Sequence, residues 1–134
     1  MNIVSFSLWG DKPIYCEGAI KNVSLVKEIY EGWDMYVYYD KTVPKKYIEQ
    51  LSFLGVKTID VTDKNMYGMF WRFLANDVDG DGYSIYRDCD SRVSLREKLA
   101  VDEWIGSGKS LHVMRDHPAH AIAYGSFKKG ILGG

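Results

Sequence analysis

Two acids, Asp88 and Asp90, stand two residues apart within Arg87-Asp88-Cys89-Asp90-Ser91-Arg92. In an extended segment that spacing turns both carboxylates to the same side. Like charges held together repel, and a cation between them removes the cost. A divalent ion that prefers oxygen, Mn²⁺ or Mg²⁺, supplies the charge and bridges to a diphosphate. Asp88 and Asp90 are therefore the candidate metal ligands. Arg87 and Arg92, on either side, are placed to neutralise phosphate or to orient the acids. A lone D-x-D also arises in loops, where the aspartates turn the chain and pair with neighbouring arginines. Its position after a strand and before a capped helix favours the functional reading.

A second group holds all three histidines of the chain: His112, then Arg115-Asp116-His117-Pro118-Ala119-His120. Histidine acts as general acid or base, or completes a metal site. Asp116, His117 and His120 are the catalytic candidates, and Arg115 an anion-binding one. His112, inside a strand, reads as a packed residue. Zinc is disfavoured, because no suitable cysteine accompanies the histidine pair. All five arginines fall between residues 72 and 115, while the lysines are spread along the chain. The guanidinium fork matches phosphate and carboxylate, so the clustering points to one anionic ligand, although surface ion pairing gives the same distribution. Asp77, Asp79, Asp81, Gly82 and Asp88 match positions 1, 3, 5, 6 and 12 of an EF-hand calcium loop. Ser84 stands where that loop needs an apolar residue, and position 12 is Asp rather than Glu. The stretch reads as an exposed acidic turn.

The elements that must position these groups alternate in type. Residues 2–9 alternate polar and apolar, as a strand does. After the Gly10–Pro13 turn, Ile20, Val23, Val26 and Tyr30 recur at helical spacing up to Gly32. A strand over 33–39 and a helix opened by Pro44 and ended by Gly55 follow. Next come a strand over 56–61, a helix over 66–75, a turn over 76–82 and a strand over 83–87. Ser94-Leu95-Arg96-Glu97 is a capping box that opens a helix running to about residue 105. Residues 110–115 form a last strand. This order predicts an α/β, Rossmann-like, mostly parallel sheet flanked by helices, in a single domain over 1–134. Ligands of such sheets bind beyond the carboxyl ends of the strands, where strand order switches. The chemistry is expected just after Trp9, Tyr39, Arg87 and Arg115.

The chain as a whole sets bounds. It has 134 residues, 46% of them hydrophobic, and a formal net charge of −1. Without a basic excess, a nucleic-acid partner is not expected. Cys16 and Cys89 make no disulfide framework, no apolar run reaches the length of a membrane span, and Met1 leads directly into a strand. The expected setting is cytoplasmic.

Several further segments carry a resemblance that covers nearly the whole chain. They are Ser7-Leu8-Trp9-Gly10, Tyr15 with Gly18-Ala19-Ile20-Lys21-Asn22, Trp33 with Tyr38-Tyr39-Asp40, and Val43-Pro44. The most specific are Trp71-Arg72-Phe73-Leu74, the Arg87–Arg92 stretch with Arg96-Glu97, Ala100-Val101 and Trp104-Ile105, and the segment from His112 to His120. As an ordered set these resemble the GT-A glycosyltransferases, in particular a bacterial and viral group of polysaccharide glycosyltransferase-like proteins. The resemblance implies sugar transfer from a nucleotide-diphosphate-sugar donor, UDP- or GDP-linked, to a glycan acceptor. It implies that Asp88 and Asp90 hold Mn²⁺ or Mg²⁺ together with the diphosphate or ribose, and that Leu8, Trp9 and Gly10 cradle base and ribose. Asn22, Arg72, Arg87, Arg92 and Arg115 are expected to bind substrate, and Asp116, His117 and His120 to supply the base or complete the metal site. Members of that group continue past the point corresponding to Gly134, so the resemblance also implies a fold truncated at the C-terminus, with self-association or a partner supplying the acceptor side. The alternative is a non-catalytic module that binds nucleotide or nucleotide-sugar. A third reading is phosphotransfer or hydrolysis with the same acids and Mg²⁺.

Overall fold

A computed structural model of the chain describes residues 1–78, 80–109, 111–113 and 130–132, the last two segments by backbone alone. At its centre is β1 (Ile3–Leu8), six residues that are all buried. A strand covered on both faces normally reads as continuously apolar. This one carries two serines, Ser5 and Ser7, and they bear on the site below.

Pro13 opens α1 (Pro13–Ile29), followed by β2 (Asp34–Tyr39), α2 (Lys45–Phe53) and β3 (Lys57–Asp60). A 3₁₀ segment, Gly68–Asp77, then leads to β4 (Ser84–Arg87). The Ser94 hydroxyl accepts the Glu97 N–H at 3.2 Å and so opens α3 (Leu95–Ser107), the forward bond of the expected capping box. β5 (Leu111–Val113) and β6 (Gly130–Leu132) complete the described elements. The second of these was not anticipated from the sequence.

The strands form one sheet in the order β3-β2-β1-β4-β6-β5, with every pairing parallel. Ile3 is in register with Asp34 of β2 on one side and Ser84 of β4 on the other. The chain winds outward from β1 through β2 to β3, then crosses back to β4 on the opposite side of β1. The switch in strand order therefore lies between β1 and β4, and the α/β parallel-sheet expectation holds.

One face of the sheet packs on the helices. Val4, Phe6 and Leu8 join Val23 and Val26 of α1, Leu51 of α2, and Val101 and Trp104 of α3 in the larger core. On the other face Ile3, Tyr38 and Tyr86 pack against Trp71 and Ala75 of the 3₁₀ segment. That segment was expected to be an α-helix over 66–75. Ser7 explains the difference. Its hydroxyl accepts the Arg72 N–H at 2.8 Å, while Ser5 donates to the Arg72 carbonyl at 2.7 Å. Backbone groups committed to side chains of β1 do not enter an α-helical ladder. Among the described residues no helix is long and apolar enough to cross a membrane.

Candidate functional site

The carboxyl ends of β1 and β4 open into a cleft of about 460 Å³, whose lining includes Trp9, Gly10, Arg72, Asp88 and Asp90. That volume lies within the range of small-molecule sites. From β1 comes the Leu8–Gly10 loop. The Gly10 N–H donates to Thr42 Oγ1 at 2.7 Å, which ties the loop to the chain after β2. Trp9 is 46% exposed, whereas Trp71 below it is 5% exposed. The two rings meet edge to face with centroids 5.9 Å apart. Trp9 also rests on Gly68, where a Cβ would come within 2.6 Å of the indole. A large aromatic surface is thus seated firmly at the cleft, available for a flat ligand group.

From β4 comes the acidic segment. It is not extended as the sequence suggested: the Ser91 N–H donates to the Asp88 carbonyl at 3.2 Å and closes a turn. Asp88 and Asp90 still both line the cleft, Asp88 half-buried and Asp90 exposed. Cys89 between them points inward, its thiol donating to the Ser7 carbonyl at 3.2 Å. Burial pushes that thiol up to about 12, which leaves it without nucleophilic character at neutral pH.

Asp88 has a resident partner. Arg72 Nη1 is ion-paired with Asp88 Oδ1, and Arg72 Nε donates to the Met69 carbonyl at 2.9 Å. The arginine side chain is 11% exposed and that of Asp88 41%. The aspartate therefore pairs with an arginine sixteen positions away in sequence, and not with its neighbours.

The neighbouring arginines, and Asn22 of α1, have partners of their own. Arg87 is buried and faces α3, with Nε 3.1 Å from Glu97 Oε1, an ion pair without the alignment of a hydrogen bond. Burial raises the Glu97 carboxyl above its ordinary range, against the opposing pull of Arg87. Arg92 is exposed and directs Nη1 to the carbonyls of Cys89 and Ser91, at 3.2 and 3.1 Å. Asn22 is fully buried and its amide is consumed: Nδ2 donates to Gly18 and Ser91 carbonyls at 3.1 and 2.8 Å, and Oδ1 accepts the Val93 N–H at 3.1 Å. Arg87 Nη2 also donates to the Arg92 carbonyl at 3.3 Å, so Asn22, Arg87 and Arg92 all brace the loop that carries the acids. Gly18 completes this support. A Cβ there would lie 2.1 Å from the Cys89 carbonyl oxygen, so only glycine lets α1 approach the acidic turn this closely.

Leu8, Trp9, Gly10, Arg72, Asp88 and Asp90 are thus brought together as expected. Arg115, Asp116, His117 and His120 lie outside the described residues, and His112 falls in β5. Sequence reading missed Ser5 and Ser7, although polar residues at alternate positions of an otherwise apolar central strand were a usable signal. It also missed Lys12 and Met69 at the rim.

The donor set suits a hard divalent cation. Two carboxylates are what Mg²⁺-type sites commonly draw from the protein, with phosphates and water completing the shell. Among the described residues no group of three or more His, Cys, Asp or Glu side chains is placed to hold a metal ion. Of the calcium-loop positions, Asp79 lies outside the described residues, and Asp77 and Asp81 stand apart from Asp88. Asp77 and Asp81 line a separate cleft with Met1, before β4, whereas Asp88 follows that strand. Four strand residues separate such ends by about 13 Å.

No family model matches the chain, and no curated protein or solved structure matches it either.

Proposed function

We propose that the cleft binds a nucleotide-diphosphate sugar, with the acids of β4 at the diphosphate and the β1 loop at the base and ribose, in a glycosyltransferase of GT-A type. The observation that carries this reading is the convergence of Trp9, Arg72, Asp88 and Asp90 at the β1–β4 switch point. This is where parallel α/β sheets take their ligands.

In the proposed reaction the bond between the anomeric carbon and the diphosphate oxygen breaks, and its electron pair leaves with the nucleoside diphosphate. An acceptor hydroxyl oxygen bonds to the anomeric carbon and gives up its proton. Asp88 and Asp90 would hold Mn²⁺ or Mg²⁺, which would supply Lewis-acid stabilisation to the departing phosphates. Arg72 adds a fixed cation on the same side, worth more inside a walled cleft than in open water. Trp9 offers its ring to the base. Asp116, His117 and His120 are the proposed source of the base that takes the acceptor proton.

Calorimetric titration of nucleoside diphosphates and nucleotide sugars, each with Mn²⁺ and with chelator, tests the reading. Binding that needs the divalent ion, with that metal dependence abolished in the folded double variant Asp88→Asn with Asp90→Asn, supports it. Equal affinity in chelator refutes the metal role. Phosphate release from simple esters would favour hydrolase or phosphotransfer chemistry. A protein that binds donor and never transfers to any glycan would favour a binding module.

A further inference from the structure

Arg72 holds the ligand that a cation needs. Its guanidinium rests on Asp88 Oδ1, and its Nε is committed to the Met69 carbonyl at 2.9 Å. Ser5 and Ser7 fix its backbone on both sides. The Arg72 side chain is almost enclosed, while Asp88 is the more exposed partner and sits on a turn. The carboxylate is therefore the member of the pair with room to reorient.

Charge gives this arrangement a consequence. Among the described residues the cleft lining carries three carboxylates, Asp11, Asp88 and Asp90, against two cations, Lys12 and Arg72. A divalent ion arriving alone finds Asp88 already neutralised, and is left with Asp11 and Asp90, both exposed to water. Mg²⁺ and Mn²⁺ give up hydration water poorly for so few ligands. A diphosphate arriving alone meets a lining of net negative charge whose buried arginine is engaged. When both arrive, the diphosphate offers the guanidinium a bidentate anionic partner, and Asp88 is released to the ion.

We infer, resting on the reading of this cleft as a diphosphate site, that Arg72 is the residue that makes cation binding conditional on diphosphate binding. Each ligand then strengthens the other by the same factor, as linkage requires.

The test uses the full chain. Free Mn²⁺ is followed by electron paramagnetic resonance and nucleotide binding by calorimetry, with Mn²⁺ alone, with UDP or GDP in chelator, and with both. In the native protein Mn²⁺ and nucleotide should strengthen each other by a factor in the range of ~5 to ~150. Arg72→Gln should bind Mn²⁺ alone more tightly than the native protein does, and its coupling factor should fall towards one. Asp88→Asn should bind UDP or GDP in chelator more tightly than native, because it frees the guanidinium and removes a negative charge, and its response to Mn²⁺ should be lost. Circular dichroism establishes that each variant is folded. Should Arg72→Gln not fold, the chelator result for Asp88→Asn decides alone. Native-like Mn²⁺ affinity and coupling in Arg72→Gln, or weaker nucleotide binding in chelator by Asp88→Asn, overturns the inference and leaves the donor-site reading standing. Absence of any nucleoside diphosphate binding by the native protein, with or without Mn²⁺, overturns both.

Discussion

Ser7 connects three parts of the site. Its hydroxyl takes the Arg72 N–H, its carbonyl takes the Cys89 thiol, and the cleft lining includes it. A buried N–H left without an acceptor costs about 1–3 kcal/mol. Ser7→Ala should therefore lower stability by about that amount, read from the denaturant midpoint. It should also weaken nucleotide binding, because the Arg72 backbone loses an anchor. A variant with unchanged stability would show that the 3₁₀ segment does not depend on this bond. At this scale the sequence disclosed the chemical types of the site well and their partners poorly. Asp88 and Asp90 were recognisable from spacing, but nothing local could show that Asp88 meets Arg72 rather than Arg87 or Arg92. That pairing is set by the return crossover on the second face of the sheet. The burial of Asn22 is hidden for a similar reason: a polar residue on a helix discloses its type but not its surroundings.

The acidic turn is held mainly by α1, through Asn22 and through the close approach at Gly18. Gly18→Ala forces the Cys89 carbonyl to move, and overpacking of this kind costs about 1–3 kcal/mol. It should lower the melting temperature and also reduce Mn²⁺-dependent nucleotide affinity, since the displaced atom lies between the two acids. Gly106→Ala is the matched control. A Cβ at Gly106, an exposed position within α3, meets nothing within 4 Å, so alanine there should raise stability by about 0.5–1 kcal/mol through helix propensity alone. Equal effects of the two substitutions would refute the fastening role of Gly18. Element types were largely readable, because alternation and helical spacing are dictated by burial on a layered sheet. The Ser94 cap was readable to the residue. The 3₁₀ segment was not, because the Ser5 and Ser7 hydroxyls that divert its backbone lie more than sixty residues earlier.

Across the whole molecule, the sheet ends on one side at β3, whose outer residues Lys57 and Asp60 are both exposed. Charges at an edge discourage the pairing of one sheet with another. Replacing both, Lys57→Val with Asp60→Val, should promote association through this edge, seen as a concentration-dependent mass in light scattering. An unchanged mass at every concentration would show that the edge is guarded by something else. The self-association suggested by the family resemblance would therefore need a different surface. The distribution of tryptophans has another use. Trp71 and Trp104 are buried and Trp33 is partly covered, while Trp9 is 46% exposed and stands at the cleft. The chain thus carries its own optical probe. Acrylamide should quench mainly the Trp9 component of the emission, and an occupied cleft should shield it. Trp9→Phe should remove both the quenchable fraction and its response to ligand, so occupancy can be followed without labelling the protein or assaying turnover.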